Sequence, residues 1–179
     1  GPIFVRYSLF LLTSLPIFLA GLGWGWRSAA LAGAAGVAIV ALGAGPTPAL
    51  LFAATQVVPA IILCYLAMLS RPYQPEGAET ATIEWYPPGR LVLWSAVMAG
   101  ALTVLAVLAS GQDFETLKTG LKEYIGKALK DGLPQMEGAP PLDDAQLAAM
   151  SEIAVTIMPA ASAISWMTAL VFNLRLAGR

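Results

Sequence analysis

The short stretch EWYPPGR, which occupies residues 84–90, lies between two long apolar runs of the chain. It combines an acid, two aromatic residues, two prolines, a glycine and an arginine. The prolines hold the residues before them extended and suit the first turn of a following helix. Tryptophan and tyrosine concentrate where a membrane meets water. The stretch therefore predicts a stiff elbow at a membrane surface, between two spanning helices.

The composition of the chain favours a membrane protein. Of 179 residues, 58% are hydrophobic and 12% are charged, whereas about a quarter of the residues in a soluble domain are charged. The formal net charge is −1 and no basic stripe is present, so we expect no nucleic-acid partner. The fold class that follows is all-α, a polytopic bundle of transmembrane helices within the lipid bilayer.

Five apolar segments are near the length of about twenty residues that a helix needs to cross a bilayer. They are residues 3–22, 28–44, 49–69, 91–109 and 153–174. The stretches 23–27 and 45–48 are expected to be the turns between the first three spans. The whole chain is expected to form a single transmembrane domain that is incomplete at both ends.

Residues 114–130 form a different kind of segment. Leu117, Leu121 and Ile125 recur every four residues on one face, and lysines occupy the other. The segment is too short and too charged to span, so we predict an amphipathic helix on the membrane surface or across the mouth of the bundle. Asp143 or Asp144 is expected to cap a helix that continues into the fifth span.

Side chains that carry catalysis are scarce. The chain has no histidine and a single cysteine, Cys64, which removes the commonest general base and metal ligand. It contains no glycine-rich motif that binds phosphate, and its acidic residues are expected in loops or at helix ends. We therefore predict a non-enzymatic protein with no catalytic residue, no cofactor and no metal site.

Polar side chains inside the apolar segments mark a candidate cavity. Thr55 and Gln56 lie in the third predicted span, and Ser162 and Ser165 lie in the fifth. A glutamine amide in hydrocarbon requires hydrogen-bond partners, so Gln56 is expected to face protein or a cavity. Two interpretations are open. These residues either hydrogen bond between helices or line a site for a small-molecule solute.

Small residues recur every four positions in the second predicted span. Lipid tails are as apolar as leucine, so small residues are useful where another helix backbone approaches closely. The candidate helix-packing interface comprises Ala29, Gly33, Ala34, Gly36, Ala38 and, in the fourth span, Gly100. This face predicts close packing inside the bundle or against another membrane protein.

Aromatic and arginine side chains cluster at the predicted helix ends. The candidate interfacial anchors are Trp24, Trp26, Arg27, Arg71, Trp85, Tyr86 and Arg90. Positive charges next to spanning helices favour the cytoplasmic side. We therefore expect a protein of the bacterial inner membrane with these anchors on the cytoplasmic side. Segment 111–150 is then expected to be periplasmic.

Several short motifs resemble one known family. They are GLGWG at residues 21–25, the pair Arg71-Pro72, EWYPPGRLVLW at 84–94 and NLRLAGR at 173–179. Together they resemble the alphaproteobacterial branch of the YybS-like family, which consists of polytopic bacterial membrane proteins. The family has been likened in fold to the S components of energy-coupling-factor transporters, which capture vitamins. That resemblance implies a solute-binding subunit that docks on its partner through the small residues at 29–38.

An accessory or scaffold subunit of a larger membrane complex is the alternative function. In that interpretation the alanine–glycine faces and the amphipathic helix bind neighbouring membrane proteins. The sequence does not separate the two functions.

Overall fold

A computed structural model describes residues 12–74, 81–111, 113–132 and 143–178. The chain is predominantly helical, which confirms the all-α prediction. The helices are α1 (Leu15–Trp24), α2 (Trp26–Ala44), α3 (Pro46–Ala67), α4 (Pro88–Ala109), α5 (Phe114–Gly132) and α6 (Asp144–Ala177). A hairpin of two strands, β1 (Ser70–Tyr73) and β2 (Thr82–Trp85), connects α3 to α4.

Four of these helices, α2, α3, α4 and α6, are long and apolar enough to cross a membrane. They coincide with the second to fifth predicted spans. The first predicted span, residues 3–22, lies partly outside the described residues. Its described part forms α1, which contains 10 residues and ends at Trp24. A count of five spans therefore stays a prediction.

The first two turns are much tighter than the sequence suggested. Helices α1 and α2 are separated only by Gly25, with φ 97° and ψ 159°, and α2 and α3 only by Gly45, with φ 93° and ψ 175°. This backbone region is essentially restricted to glycine. Pro46 follows as the first residue of α3, where a proline is favoured. The expectation of multi-residue turns at 23–27 and 45–48 is therefore wrong.

The chain divides into two compact units. In the first unit, which contains residues up to Leu102 and from Ser165 onward, the core gathers side chains from α1, α2, α3, α4 and α6. Its fully buried members include Phe18, Ala29, Leu63 and Cys64. Gly33 lies directly against Val57, so the backbones of α2 and α3 approach closely. Helix α3 widens into a π-helical turn at Ala53–Val57.

Two long-range hydrogen bonds connect the C-terminal part of α6 to the rest of the first unit. Asn173 Nδ2 donates to Ser14 Oγ at 2.9 Å, and both side chains are buried. Trp166 Nε1 donates to the backbone oxygen of Thr55, also at 2.9 Å. Because a buried polar group is costly to leave unpaired, these bonds help to fix α6 against α1 and α3.

In the second unit, Thr103–Ile164, α5 packs on the N-terminal half of α6. Lys118 and Lys122 form ion pairs with Glu152, the Lys118 pair at 3.2 Å. Ser151 is buried, and its Oγ lies beside Gly126, 3.4 Å from where a Cβ would stand. The predicted amphipathic helix therefore exists, and two of its lysines contact another helix rather than only water.

Local hydrogen bonds define where both helices of this unit begin. Thr116 donates through its hydroxyl and its backbone N–H to the Asp113 carboxylate, and these bonds hold the pKa of Asp113 below its usual value. At α6, Asp143 Oδ1 accepts from Ala145 N while Gln146 Oε1 accepts from Asp143 N. That reciprocal pattern is a capping box, so Asp143 is the cap of α6.

Candidate functional site

A cleft of about 270 Å³ opens between the hairpin and the start of α4, at the EWYPPGR elbow. Its lining consists of Leu69, Ser70, Arg71, Glu84, Trp85, Tyr86, Pro87 and Arg90. Four of the seven predicted interfacial anchors are in this lining. The structure thus gathers residues that are up to 21 positions apart in sequence around one opening.

The hairpin explains why these residues meet. Ser70 stands opposite Trp85 and Arg71 opposite Glu84 in the antiparallel register. Beyond the last pair, Tyr86 N donates to Leu69 O at 2.9 Å and closes the base of the hairpin. Pro88 then begins α4. The closed base of the hairpin and the start of α4 therefore lie within a few residues of each other, at the cleft.

One of the two arginines in the cleft is neutralised. Arg71 donates through Nε and Nη2 to the same Glu84 oxygen, Oε2, at 2.7 Å in each case. The two side chains are 73% and 44% exposed, and exposed ion pairs contribute about 0–1 kcal/mol. This pair therefore orients charge in the cleft more than it stabilises the fold.

The other arginine, Arg90, is held by an aromatic ring. Its Cζ lies 5.9 Å from the centroid of Tyr86, a cation–π distance. Tyr86 is itself fixed, because its hydroxyl accepts a hydrogen bond from Trp94 Nε1 at 3.0 Å. No carboxylate in the part of the chain that the structure describes pairs with Arg90. Among the residues that the structure describes, the cleft therefore presents one positive charge that no acid balances.

The remaining predicted anchors lie at the same end of the first unit. Trp26 contacts the ring of Tyr65 edge-on, with centroids 6.1 Å apart, and Tyr65 belongs to the last turn of α3. Arg27 Cζ lies 5.7 Å from the Trp26 ring. Trp24, two residues before Trp26, is 80% exposed. We refer to these tryptophan, tyrosine and arginine residues, together with those of the cleft, as the belt near the end of α3 and the start of α4.

The four predicted cavity residues do not line this cleft. Thr55 Oγ1 donates to Leu51 O at 2.7 Å within its own helix. Gln56 is buried, 5% exposed, in the π-helical turn of α3. Ser162 and Ser165 are exposed on α6 and belong to different units. A cavity shared by these four residues remains a prediction.

The small residues of α2 are divided between two faces. Ala29 and Gly33 are buried, and Gly36 lies beside the Phe52 ring, 3.1 Å from where a Cβ would stand. Ala34 and Ala38 are exposed. Gly100 on α4 is also exposed, with no atom within 4 Å of a Cβ position. The first group packs inside the chain, and contact of the second group with another protein remains a prediction.

Comparison with known proteins gives no further guide. No protein-family model, curated protein or solved structure matches this chain. Within the described ranges, no group of three histidine, cysteine, aspartate or glutamate residues is arranged to hold a metal ion.

Sequence reasoning missed three members of the elbow arrangement: Leu69, Glu84 and Trp94. Glu84 was visible as part of the elbow, but its pairing with Arg71 required the hairpin register. The signal that was available is the β-favouring pair Thr82-Ile83 before the elbow, which follows the extended Arg71-Pro72-Tyr73 stretch. Trp94 is one helical turn past Arg90, on the face of α4 that Tyr86 covers.

Proposed function

We propose that this chain is a non-enzymatic integral membrane protein of the bacterial inner membrane that serves as an accessory or scaffold subunit of a larger membrane complex. Four long apolar helices support the membrane placement. The aromatic and arginine belt at one end of the first unit supports an interface at that level. Arg27, Arg71 and Arg90 lie in this belt, so we assign it to the cytoplasmic side, and segment 111–150 to the periplasm.

The proposal of a protein partner rests on the outer face of α2. Ala34 and Ala38 are exposed there, while the neighbouring face of the same helix exposes Leu31, Ile39 and Leu42. Leucine and isoleucine suit contact with lipid tails. Small residues are favourable only where a second backbone comes close. The two adjacent faces therefore suit two different neighbours, lipid on one and a helix of another protein on the other.

A pair of matched variants tests this function. Ala34→Leu with Ala38→Leu enlarges the small face without meeting the core, because both positions are exposed. Ala35→Leu is the control, since Ala35 lies on the face that already exposes leucines. We expect the double variant to lose membrane proteins that copurify with the parent in mild detergent, as quantified by mass spectrometry. An identical set of copurifying proteins in parent, control and double variant would contradict the proposal.

The buried amide of Gln56 favours a second candidate, a solute-binding subunit. Gln56 sits in the middle of an apolar helix at a π-helical turn, and such turns are frequent at functional sites. The resemblance to the YybS-like family, and through it to S components, supports the same function. In that case the site lies around the Gln56 amide, and a bound solute would accompany the purified protein.

Small-molecule analysis of purified samples separates this candidate from the first. Gln56→Leu should lose the solute, because the amide that would bind it is gone. Thr55→Val is the matched control, because the Thr55 hydroxyl already donates within its own helix. Absence of any solute from the parent, or an equal amount in Gln56→Leu, would exclude the solute-binding function.

A further inference from the structure

The charges of the elbow cleft are arranged asymmetrically. Arg71 directs two donors at one Glu84 oxygen, and Arg90 faces the same opening without a carboxylate partner among the described residues. A guanidinium presents a planar fork of donors that matches phosphate geometry and is weakly hydrated. The Tyr86 ring, whose hydroxyl is bonded by Trp94, lies against Arg90 on one side, so the remaining guanidinium donors of Arg90 can meet a ligand.

The position and lining of the cleft indicate where that ligand comes from. Helix α3 ends at Ala67 and α4 begins at Pro88, so the cleft lies level with the ends of two candidate spans. Trp85 and Leu69 border it and are 60% and 37% exposed. A charged centre beside exposed apolar side chains suits a molecule with a charged head and an apolar stem.

We infer that the elbow cleft binds the phosphodiester of an anionic phospholipid headgroup, with Arg90 as the phosphate ligand. The inference rests on the proposed membrane placement. A free phosphate ester in the cytoplasm offers the same chemistry, and the two sources differ in the presence of acyl chains. Glu84 limits the strength of binding, because it neutralises Arg71, the second cation of the cleft.

This arrangement predicts opposite effects for the two partners of one salt bridge. Glu84→Gln releases Arg71, so a second guanidinium faces the phosphate and binding becomes several-fold tighter. Arg71→Gln leaves the Glu84 carboxylate unpaired beside the phosphate, so binding becomes several-fold weaker. If the salt bridge served only to hold the hairpin, both changes would weaken binding alike. The sign of the Glu84→Gln effect is therefore diagnostic.

The experiment is native mass spectrometry of the full chain in detergent, titrated with phosphatidylglycerol or phosphatidylcholine. The parent should retain one phosphatidylglycerol at concentrations where phosphatidylcholine does not bind. Arg90→Gln should raise the apparent dissociation constant for phosphatidylglycerol about tenfold, because it removes one charge-assisted contact. Arg27→Gln is the matched control, because Arg27 belongs to the same belt but stacks on Trp26 outside the cleft. It should bind as the parent does.

Competition with glycerol 3-phosphate distinguishes the two sources of phosphate. If phosphatidylglycerol stays bound in an excess of glycerol 3-phosphate, the lipid assignment is supported. If glycerol 3-phosphate displaces it at equal concentration, the lipid assignment is overturned in favour of a soluble phosphate ester. Equal losses in Arg90→Gln and Arg27→Gln would show diffuse surface charge and overturn the site. Weaker binding in Glu84→Gln would overturn it as well.

Flotation of the parent with phosphatidylcholine vesicles keeps this inference separate from the proposed function. A chain that floats with vesicles but shows no preference for phosphatidylglycerol remains a membrane protein without this site. If the chain floats with no vesicle, the proposed membrane placement itself is contradicted.

Discussion

Replacement of Gly33 by alanine tests the close packing of α2 on α3. An added Cβ at this position would overlap Val57 Cγ1 and lie 3.4 Å from Val57 Cβ. Val57 is 5% exposed and belongs to the buried core, so it has little room to move aside. Overpacking of this kind costs about 1–3 kcal/mol. The same change removes a glycine from a helix interior, which gains about 1 kcal/mol.

Gly100→Ala is the matched control for this prediction. Gly100 lies inside α4 with no atom within 4 Å of its Cβ position, so only the gain in helix propensity applies. We expect Gly33→Ala to be less stable than Gly100→Ala by about 1–3 kcal/mol, which is the overpacking term alone. The free energy of unfolding is measured by circular dichroism during denaturation in mixed micelles.

A double-mutant cycle with Val57→Ala locates the cause. Val57→Ala removes the methyl group that the new Cβ would overlap. We therefore expect Gly33→Ala to cost less in that background, with a coupling energy of about 0.5–3 kcal/mol. If Gly33→Ala matched or exceeded the stability of Gly100→Ala, or if the two changes were additive, the close approach of α2 to α3 would be refuted.

Two further predictions concern a junction and the second unit. Gly25→Ala should destabilise the chain by about 1–3 kcal/mol, because Gly25 has φ 97° and ψ 159°. Gly23→Ala, inside α1, should instead gain about 1 kcal/mol; equal stabilities of the two variants would contradict the one-residue junction. Glu152→Gln should speed proteolysis of α5, because Lys118 and Lys122 both pair with Glu152. Glu123→Gln, on the exposed side of α5, should leave the cleavage rate unchanged, and equal rates in both variants would contradict the role of the ion pairs.

The helical architecture could be predicted because apolar segments of spanning length are a local property of the sequence. Helices α2, α3 and α4 cover the predicted second, third and fourth spans with small shifts at their ends. The turn at 23–27 was misjudged because Trp24 and Trp26 were taken to lie outside the helices. A single glycine with a positive φ reverses the chain there, and that conformation leaves no mark beyond the glycine itself.

Contacts between separate helices and strands were harder to predict from the sequence. The small-residue pattern of α2 is nearly continuous around the helix, so the sequence could not assign Gly33 to the inner face and Ala34 to the outer one. The hairpin depends on pairing between Arg71 and Glu84, which are 13 residues apart. Likewise, Lys118 and Lys122 had the spacing of a solvated helix face. Their contact with Glu152 depends on how α5 packs on α6, which periodicity within α5 does not encode.

Cysteine accessibility across the membrane tests the central claim most directly. Gln74→Cys, directly after β1, and Tyr124→Cys, on a position of α5 that is 71% exposed, provide one probe on each side in the proposed topology. Cys64 is fully buried, so the parent chain serves as the unlabelled control. With a membrane-impermeant maleimide, Tyr124→Cys should react in intact spheroplasts and Gln74→Cys only in inverted vesicles. Labelling of both cysteines from the same side would contradict the membrane topology.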